Sequence, residues 1–220
     1  MIVALLGDPV SASLSPVMQN AAFAARGLDW TYVGLRVRAE HLEDALRGLV
    51  ALGFAGANVT TPHKLEVARL VGADVPSVNT LVVRDGGLHG TSTDTAVLSG
   101  LAFRHAAILG DGGAAVAFAE ALPDARRFSR RGEWPPDVGD VDLVINATSA
   151  RDEPLVELAP GQTLIDLPYP ATATAREARN RGARVIDGFE VLVAQGAASF
   201  ELWTGVPAPT DVMRGAIRTR

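Results

Sequence analysis

Apolar and polar positions along the chain follow two rhythms, and each rhythm predicts one kind of element. Short, largely apolar runs predict strands: "MIVALL" at 1–6, "WTYVGLRV" at 30–37 and one within "GFAGANVT" at 53–60. Between them, apolar residues recur every three or four positions. "SPVMQNAAFAARG" at 15–27 predicts a helix with Ser15 as N-cap, Pro16 at its first position and Gly27 as its stop. "HLEDALRGLVALG" at 41–53 places Leu42, Ala45, Leu46, Leu49 and Val50 on one helical face, and "TPHKLEVARLV" at 61–71 predicts a further helix with Pro62 in its first turn. "NTLVVRDGGLHGTSTD" at 79–94 has the form of a hairpin that turns at Asp85-Gly86-Gly87.

From about residue 105 the pattern changes. "HAAILG", "ARRFSR", "VDLVINAT", "TLIDLPY" and "ARVIDG" are short apolar runs at crossover spacing, which predicts a parallel sheet in a doubly wound α/β unit. The crossover at 131–140, "RGEWPPDVGD", holds two prolines and leaves no room for a helix, so the unit is trimmed. The last stretch, "GFEVLVAQGAASFELWTG" at 188–205, has Val191, Ala194, Gln195, Ala198 and Leu202 at helical spacing. The expected fold class is α/β with two lobes. Residues 1–102 and 189–220 form one discontinuous domain, residues 103–188 form a Rossmann-like domain, and the C-terminal helices return to the first lobe.

Charge and composition narrow the partners. The net charge is −5 and the basic runs stop at "ARR" and "SRR", so no nucleic-acid footprint is present. The absence of cysteine excludes disulfides and thiolate metal sites, and His41, His63, His89 and His105 lack ligand spacing, so no metal is expected. "MIVALL" has no basic flank and Asp8 breaks it too early for a signal peptide. No apolar stretch reaches transmembrane length. The expectation is a cytoplasmic protein with a small-molecule partner, no nucleic acid and no membrane.

Candidate chemistry appears in two places. "ILGDGGAA" leaves a predicted strand and opens a helix, so Gly110, Gly112 and Ala115 fit the G-x-G-x-x-A turn that lets backbone N–H groups approach a pyrophosphate. The next strand ends in Ser129, Arg130 and Arg131 rather than in an acidic residue, which favours the 2′-phosphate of NADP over NAD. Asp111 opposes this, because it puts a carboxylate into the phosphate loop. The second place is the set Asn58, Thr60, Lys64, Asn79, Thr80 and Asp94, all at strand ends or turns. Together they describe a site for a polyhydroxylated ligand, with one cation and one carboxylate for proton transfer.

The sequence resembles the shikimate dehydrogenase family, and the likeness runs over nearly its whole length. "GDPVSASLSP" resembles the family's Ser-x-Ser motif and "GANVTTPHK" its N-V-T-x-P-x-K stretch; "VNT", "TSTD" and "NAT" follow in order. "DLPYP" and "QGAASFELWTG" are similar to its D-x-x-Y-x-P and Q-A-x-x-A-F-x-x-W-x-G segments. The resemblance implies reversible reduction of 3-dehydroshikimate by NADPH, by a monomer or homodimer. By motif position, Ser13 and Ser15 would bind the ring carboxylate, and Asn58, Thr60, Asn79 and Gln195 the ring hydroxyls. Lys64 and Asp94 would form the catalytic pair. Tyr169 and Gly188 would lie where nicotinamide meets substrate. Gly113 and Thr148 would join Gly110, Gly112, Ala115, Ser129, Arg130, Arg131 and Gly188 on the cofactor.

The departures cluster on the cofactor side. The family's N-T-D-G-x-G becomes Ser92-Thr93-Asp94-Thr95-Ala96-Val97, its G-A-G-G-A-x-R loop becomes Gly110-Asp111-Gly112-Gly113-Ala114-Ala115-Val116, and Val191 replaces a methionine. The segment between Lys64 and Asn79 and the cofactor lobe are both short. Two other readings therefore stand beside the enzyme: a non-catalytic shikimate-binding homologue with a weakened dinucleotide site, and a dehydrogenase that also accepts quinate.

Overall fold

The computed structural model describes residues 1–218, and its contacts divide the chain into two compact units: Met1–Asp94 with the chain from Val193, and Thr95–Leu192. In the first unit, β1 (Ile2–Gly7) lies between β2 (Thr31–Arg36) and β3 (Gly56–Val59), parallel to both. The antiparallel hairpin β4 (Thr80–Arg84) and β5 (Gly87–Thr91) extends the sheet to the order β2-β1-β3-β4-β5. Its tight turn has Asp85 at φ 54° and Gly86 at φ 74°, and positive φ at both central residues matches the twist of the strands.

Helices α1 (Ser15–Ala25), α2 (Leu42–Ala51) and α3 (Lys64–Leu70) belong to this unit. The predicted face of α2 buries Leu42, Leu46 and Leu49 in a core with Leu6, Val59, Val67 and Leu81. Two predicted helix starts need correction. Ser15 is the first helical residue rather than the cap; Leu14 takes the cap position, and no side chain caps the helix. Pro62 lies in the turn before α3, which begins at Lys64.

The second unit carries an all-parallel sheet of β6 (Ala106–Leu109), β7 (Arg126–Phe128), β8 (Leu143–Asn146), β9 (Thr163–Asp166) and β10 (Arg184–Ile186), ordered β10-β9-β8-β6-β7. Successive strand residues point to opposite faces, so the two faces sort into two cores. Leu109, Phe128, Val144 and Leu164 fill one; Ile108, Ile145 and Ile165 fill the other. The second core is covered by α4 (Gly113–Ala121), through Ala115 and Phe118. On the first face, α5 (Ala173–Asn180) contributes Ala175 and Ala178. The crossovers from β7 to β8 and from β8 to β9 hold no helix; Val138, Val141, Val156 and Leu158 on these loops pack onto the sheet instead. This is how the trimmed unit closes its core.

Val97, Leu98, Leu101 and Phe103 pack against the second core, as does Val191. The units therefore divide at 94/95 and 192/193, where the sequence places boundaries at 102/103 and 188/189. Helix α6 (Gly188–Thr204) runs through the later division. Its buried stripe in the first unit passes through Val193, Gly196 and Phe200, because Gly196 accepts a bond from Gln19 Nε2 at 2.9 Å and Phe200 stacks on Phe23 at 5.4 Å. Leu202, assigned to the packed face by spacing, is 48% exposed. Helix α7 (Thr210–Arg218) buries Met213 and Ile217 and packs on α1.

At the far end of the second sheet, Asp142 accepts the backbone N–H groups of Arg104 (2.9 Å) and His105 (2.8 Å), pinning the start of β6 beside that of β8. Burial pushes its carboxyl up, but these backbone donors outweigh it and hold it below the usual carboxylate range. That stabilisation is present above the unfolded-state value and is lost as pH falls through the lowered one.

Candidate active site

Lys64 opens α3, and its backbone carbonyl accepts the N–H of Val78 at 3.0 Å, so the lysine is fixed beside the segment that leads into Asn79. Asp94 opens a short 3₁₀ turn, Asp94–Leu98. The two side chains meet: Lys64 Nζ lies 2.6 Å from Asp94 Oδ2 and 2.9 Å from Oδ1, and they are 14% and 10% exposed. An ion pair this shielded from water is poorly screened, unlike the surface pairs of Arg47 or Arg69.

Asn79 completes the carboxylate's surroundings. Its Nδ2 donates to Asp94 Oδ1 at 2.9 Å and to Thr93 Oγ1 at 3.0 Å, with Gln195 Oε1 at 3.4 Å. Its Oδ1 accepts the Thr93 backbone N–H at 2.7 Å, which fixes the direction of the amide. Asn58, 5% exposed, is spent within the protein: Oδ1 accepts from Tyr32 Oη at 2.8 Å, and Nδ2 donates to Asn79 O, Thr80 Oγ1 and Ser199 Oγ at 3.0 to 3.1 Å. Asn58 therefore lies behind Asn79 and braces it. Thr60, half-buried, directly follows β3 beside Gly7.

The serine turn differs from expectation. Ser15 lies inside the helix, and Ser13 lies in the turn before it. Ser13 Oγ accepts the Ser15 N–H at 3.2 Å while the Ser13 N–H bonds Val10 O, so the chain turns directly into α1. Ser15 is 6% exposed and Ser13 half-buried.

In the second unit, Gly110 leaves β6 at φ 119°, with the position of an added Cβ 2.9 Å from Ala147 O, so only glycine fits. Gly112 is the N-cap of α4, Gly113 its first residue, and Ala115 is fully buried beneath. No side chain caps α4 and its first turn holds no acid, so its leading N–H groups are not taken by a side-chain cap. Ser129 begins the turn after β7, its N–H bonded to Glu133 O at 3.2 Å. Arg130 lies over the Trp134 ring at 5.8 Å, and Arg131 Nη1 is 3.5 Å from Asp111 Oδ2. The carboxylate that the sequence sets against phosphate is thus matched to an arginine.

Thr148 donates its N–H and hydroxyl to Asn146 Oδ1, at 3.1 and 2.8 Å. Asn146 Nδ2 in turn donates to the fully buried Asp166, which also accepts the N–H and hydroxyl of Thr172. This carboxylate ties together the loops that leave β8 and β9, including Tyr169, which stacks on Phe189 at 5.7 Å. An added Cβ on Gly188 would collide with the carbonyl oxygens of Pro168 and Leu167, so that approach also requires glycine. Asp166→Ala should lower the unfolding free energy by about 2 kcal/mol in urea denaturation, since it strands buried donors; unchanged stability would contradict the role.

Sequence reasoning passed over Tyr32, Thr93 and Ser199 in the first unit, and Asn146, Asp166 and Thr172 in the second. The readable signal for Ser199 is its place one helical turn after Gln195.

The two sheets and the glycine loop define an α/β protein with a Rossmann-like unit, and its other unit carries the shielded Lys64–Asp94 pair. Residues 5–81 match the shikimate dehydrogenase substrate binding domain, and residues 188–218 match the shikimate 5'-dehydrogenase C-terminal domain. The chain belongs to the shikimate dehydrogenase family. It is 40% identical to the shikimate dehydrogenase (NADP(+)) of Moorella thermoacetica, over 99% of this chain and 92% of that one. Its identity to the enzyme of that name from Methanothrix thermoacetophila is 37%, over 99% and 96%. The Moorella alignment runs over 272 positions, more than the 220 residues here, so that relative carries segments this chain lacks. Among solved structures, a shikimate dehydrogenase in complex with NADP+ matches with a TM-score of 0.89 at 31% identity, covering 99% of this chain and 94% of that one. The Thermus thermophilus enzyme in complex with NADP(H) and shikimate matches with 0.87 at 28%, covering 100% and 99%.

Proposed function

We propose that this protein catalyses the reversible, NADP-dependent oxidation of shikimate to 3-dehydroshikimate, with Lys64 and Asp94 handling the proton. The observation that carries this reading is the shielded 2.6 Å contact between Lys64 and Asp94, joined by Asn79. When bound, NADP accepts the hydride, or as NADPH supplies it. Everything else falls to the chain. Hydride delivery to a carbonyl builds alkoxide character, which the Lys64 ammonium stabilises and protonates. In the oxidation direction Lys64 Nζ receives the hydroxyl proton. Asp94 orients the amine throughout. Ser13 and Ser15 take the ring carboxylate; Thr60, Asn79 and Gln195 take ring hydroxyls, with Asn58 bracing Asn79 from behind. Tyr169 is a further substrate-binding residue.

The glycine loop fits a dinucleotide: Gly110 permits the tight turn against Ala147, Gly112 has open space where a Cβ would stand, and the start of α4, with no side-chain cap, offers N–H groups to a pyrophosphate. Gly113, Ala115, Ser129, Arg131, Thr148 and Gly188 complete that site, and Arg130 takes the 2′-phosphate. The protein works in the cytoplasm as a monomer or homodimer; among the described residues no helix is long and apolar enough to cross a membrane. The test is a steady-state assay at alkaline pH with millimolar shikimate or quinate, and NADP or NAD. NADPH formation with shikimate is expected. Tight shikimate binding without turnover would leave a binding protein instead.

A further inference from the structure

Beneath the Lys64–Asp94 pair lies a closed triangle of hydroxyls. Thr80 Oγ1, Thr93 Oγ1 and Ser199 Oγ stand 2.8 to 3.2 Å from one another. Thr80 and Ser199 are fully buried and Thr93 is 5% exposed, so the triangle is shut off from bulk water. It is coupled upward through Asn79, whose Nδ2 reaches both Thr93 Oγ1 and Asp94 Oδ1.

Ser199 is the member contributed by α6, far along the chain from the others. Its hydroxyl has one proton, and Gln195 O, 3.0 Å away on the preceding turn, accepts it. Its oxygen is then an acceptor for Asn58 Nδ2 at 3.0 Å and for a threonine hydroxyl of the triangle. One oxygen thus joins β3, β4, the segment before Asp94 and the helix that carries Gln195. Deleting it removes a shared acceptor, so Asn58 Nδ2 turns wholly to Asn79 O and Thr80 Oγ1, the threonine hydroxyls turn to Asn79 Oδ1, and the load falls on the residue whose amide holds the carboxylate.

We propose that Ser199 is a positioning residue, whose hydroxyl holds the Asn79 amide, and through it the Asp94 carboxylate, in register with Lys64. The kinetic part of this inference rests on the dehydrogenase reading above. The Q-A-x-x-A-F pattern has alanine at this position, so Ser199→Ala is the natural variant. Its kcat for shikimate oxidation should fall about fivefold, with KM for shikimate changed less than about twofold. In a Lys64→Ala background the same substitution should cost nothing further, because its effect passes through that pair. A wild-type kcat, or a full second fivefold loss in the double variant, would overturn the proposal. A readout free of turnover separates this from the reaction itself. The side-chain amide protons of Asn79, followed by NMR, should exchange with solvent faster in Ser199→Ala. Unchanged exchange sinks the positioning role whether or not the protein oxidises shikimate, whereas absent oxidation by the wild type counts against the proposed function alone.

Discussion

Lys64→Ala is expected to lower kcat for shikimate oxidation by about a thousandfold, within the range for loss of a positioned acid–base group. The shikimate dissociation constant, measured by calorimetry, should change less than about fivefold. The asymmetry follows from where the charge develops. The ground-state alcohol is neutral at the reacting oxygen and gives the neutral amine only an ordinary hydrogen bond, whereas in the transition state the amine takes up the proton and its charge faces a developing alkoxide. Lys64 is well placed for selective stabilisation because its side chain is 14% exposed and its amine is already held by Asp94, so little reorganisation accompanies the reaction. The fold should survive, since Asp94 keeps its bond from Asn79 after the lysine is gone. A variant with wild-type kcat would remove Lys64 from the mechanism. Equal losses in binding and turnover would make it a binding residue.

Much of the architecture was legible because burial on both faces leaves a plain record. β3, β6 and β8 are buried at every position, and each reads as an uninterrupted run of small or apolar residues, save asparagines at positions 58 and 146. Those two asparagines mark where side chains replace water as partners. What the sequence could not convey is who those partners are. Asn58 meets Ser199 across 141 residues, and Asn146 meets Asp166 across 20. No local period encodes such pairings. The serine turn misled for a related reason: a hydroxyl near a helix start can cap it or, as Ser13 does, accept from a neighbouring N–H, and the two look alike in sequence. The unit boundary shifted because the residues after Asp94 form a 3₁₀ turn, and Val97 and Leu98 within it pack on the second sheet's core. α5 was left unassigned, being eight residues and mostly polar, although Thr172 caps it by accepting from Ala175 N.

Arg130→Ala is expected to weaken NADP binding about thirtyfold while leaving NAD binding within about twofold, as read by direct titration of each dinucleotide. The two cofactors differ only at the 2′-phosphate, so a group that touches nothing else changes one affinity and spares the other. Two arginines follow β7, but they are not equivalent. Arg131 is 3.5 Å from Asp111, whereas the Arg130 guanidinium lies over the Trp134 ring at 5.8 Å and has no carboxylate partner among the ion pairs of the described residues. A guanidinium offers phosphate oxygens paired hydrogen bonds, which lysine could not reproduce. Asp111→Asn supplies the contrast. Asp111 sits in the glycine loop proposed to hold the pyrophosphate, which both dinucleotides share, so removing its charge should tighten NADP and NAD alike, by about threefold. Should Arg130→Ala weaken both cofactors equally, the arginine acts on the pyrophosphate or the fold, and the preference for NADP must come from Arg131 once Asp111 releases it.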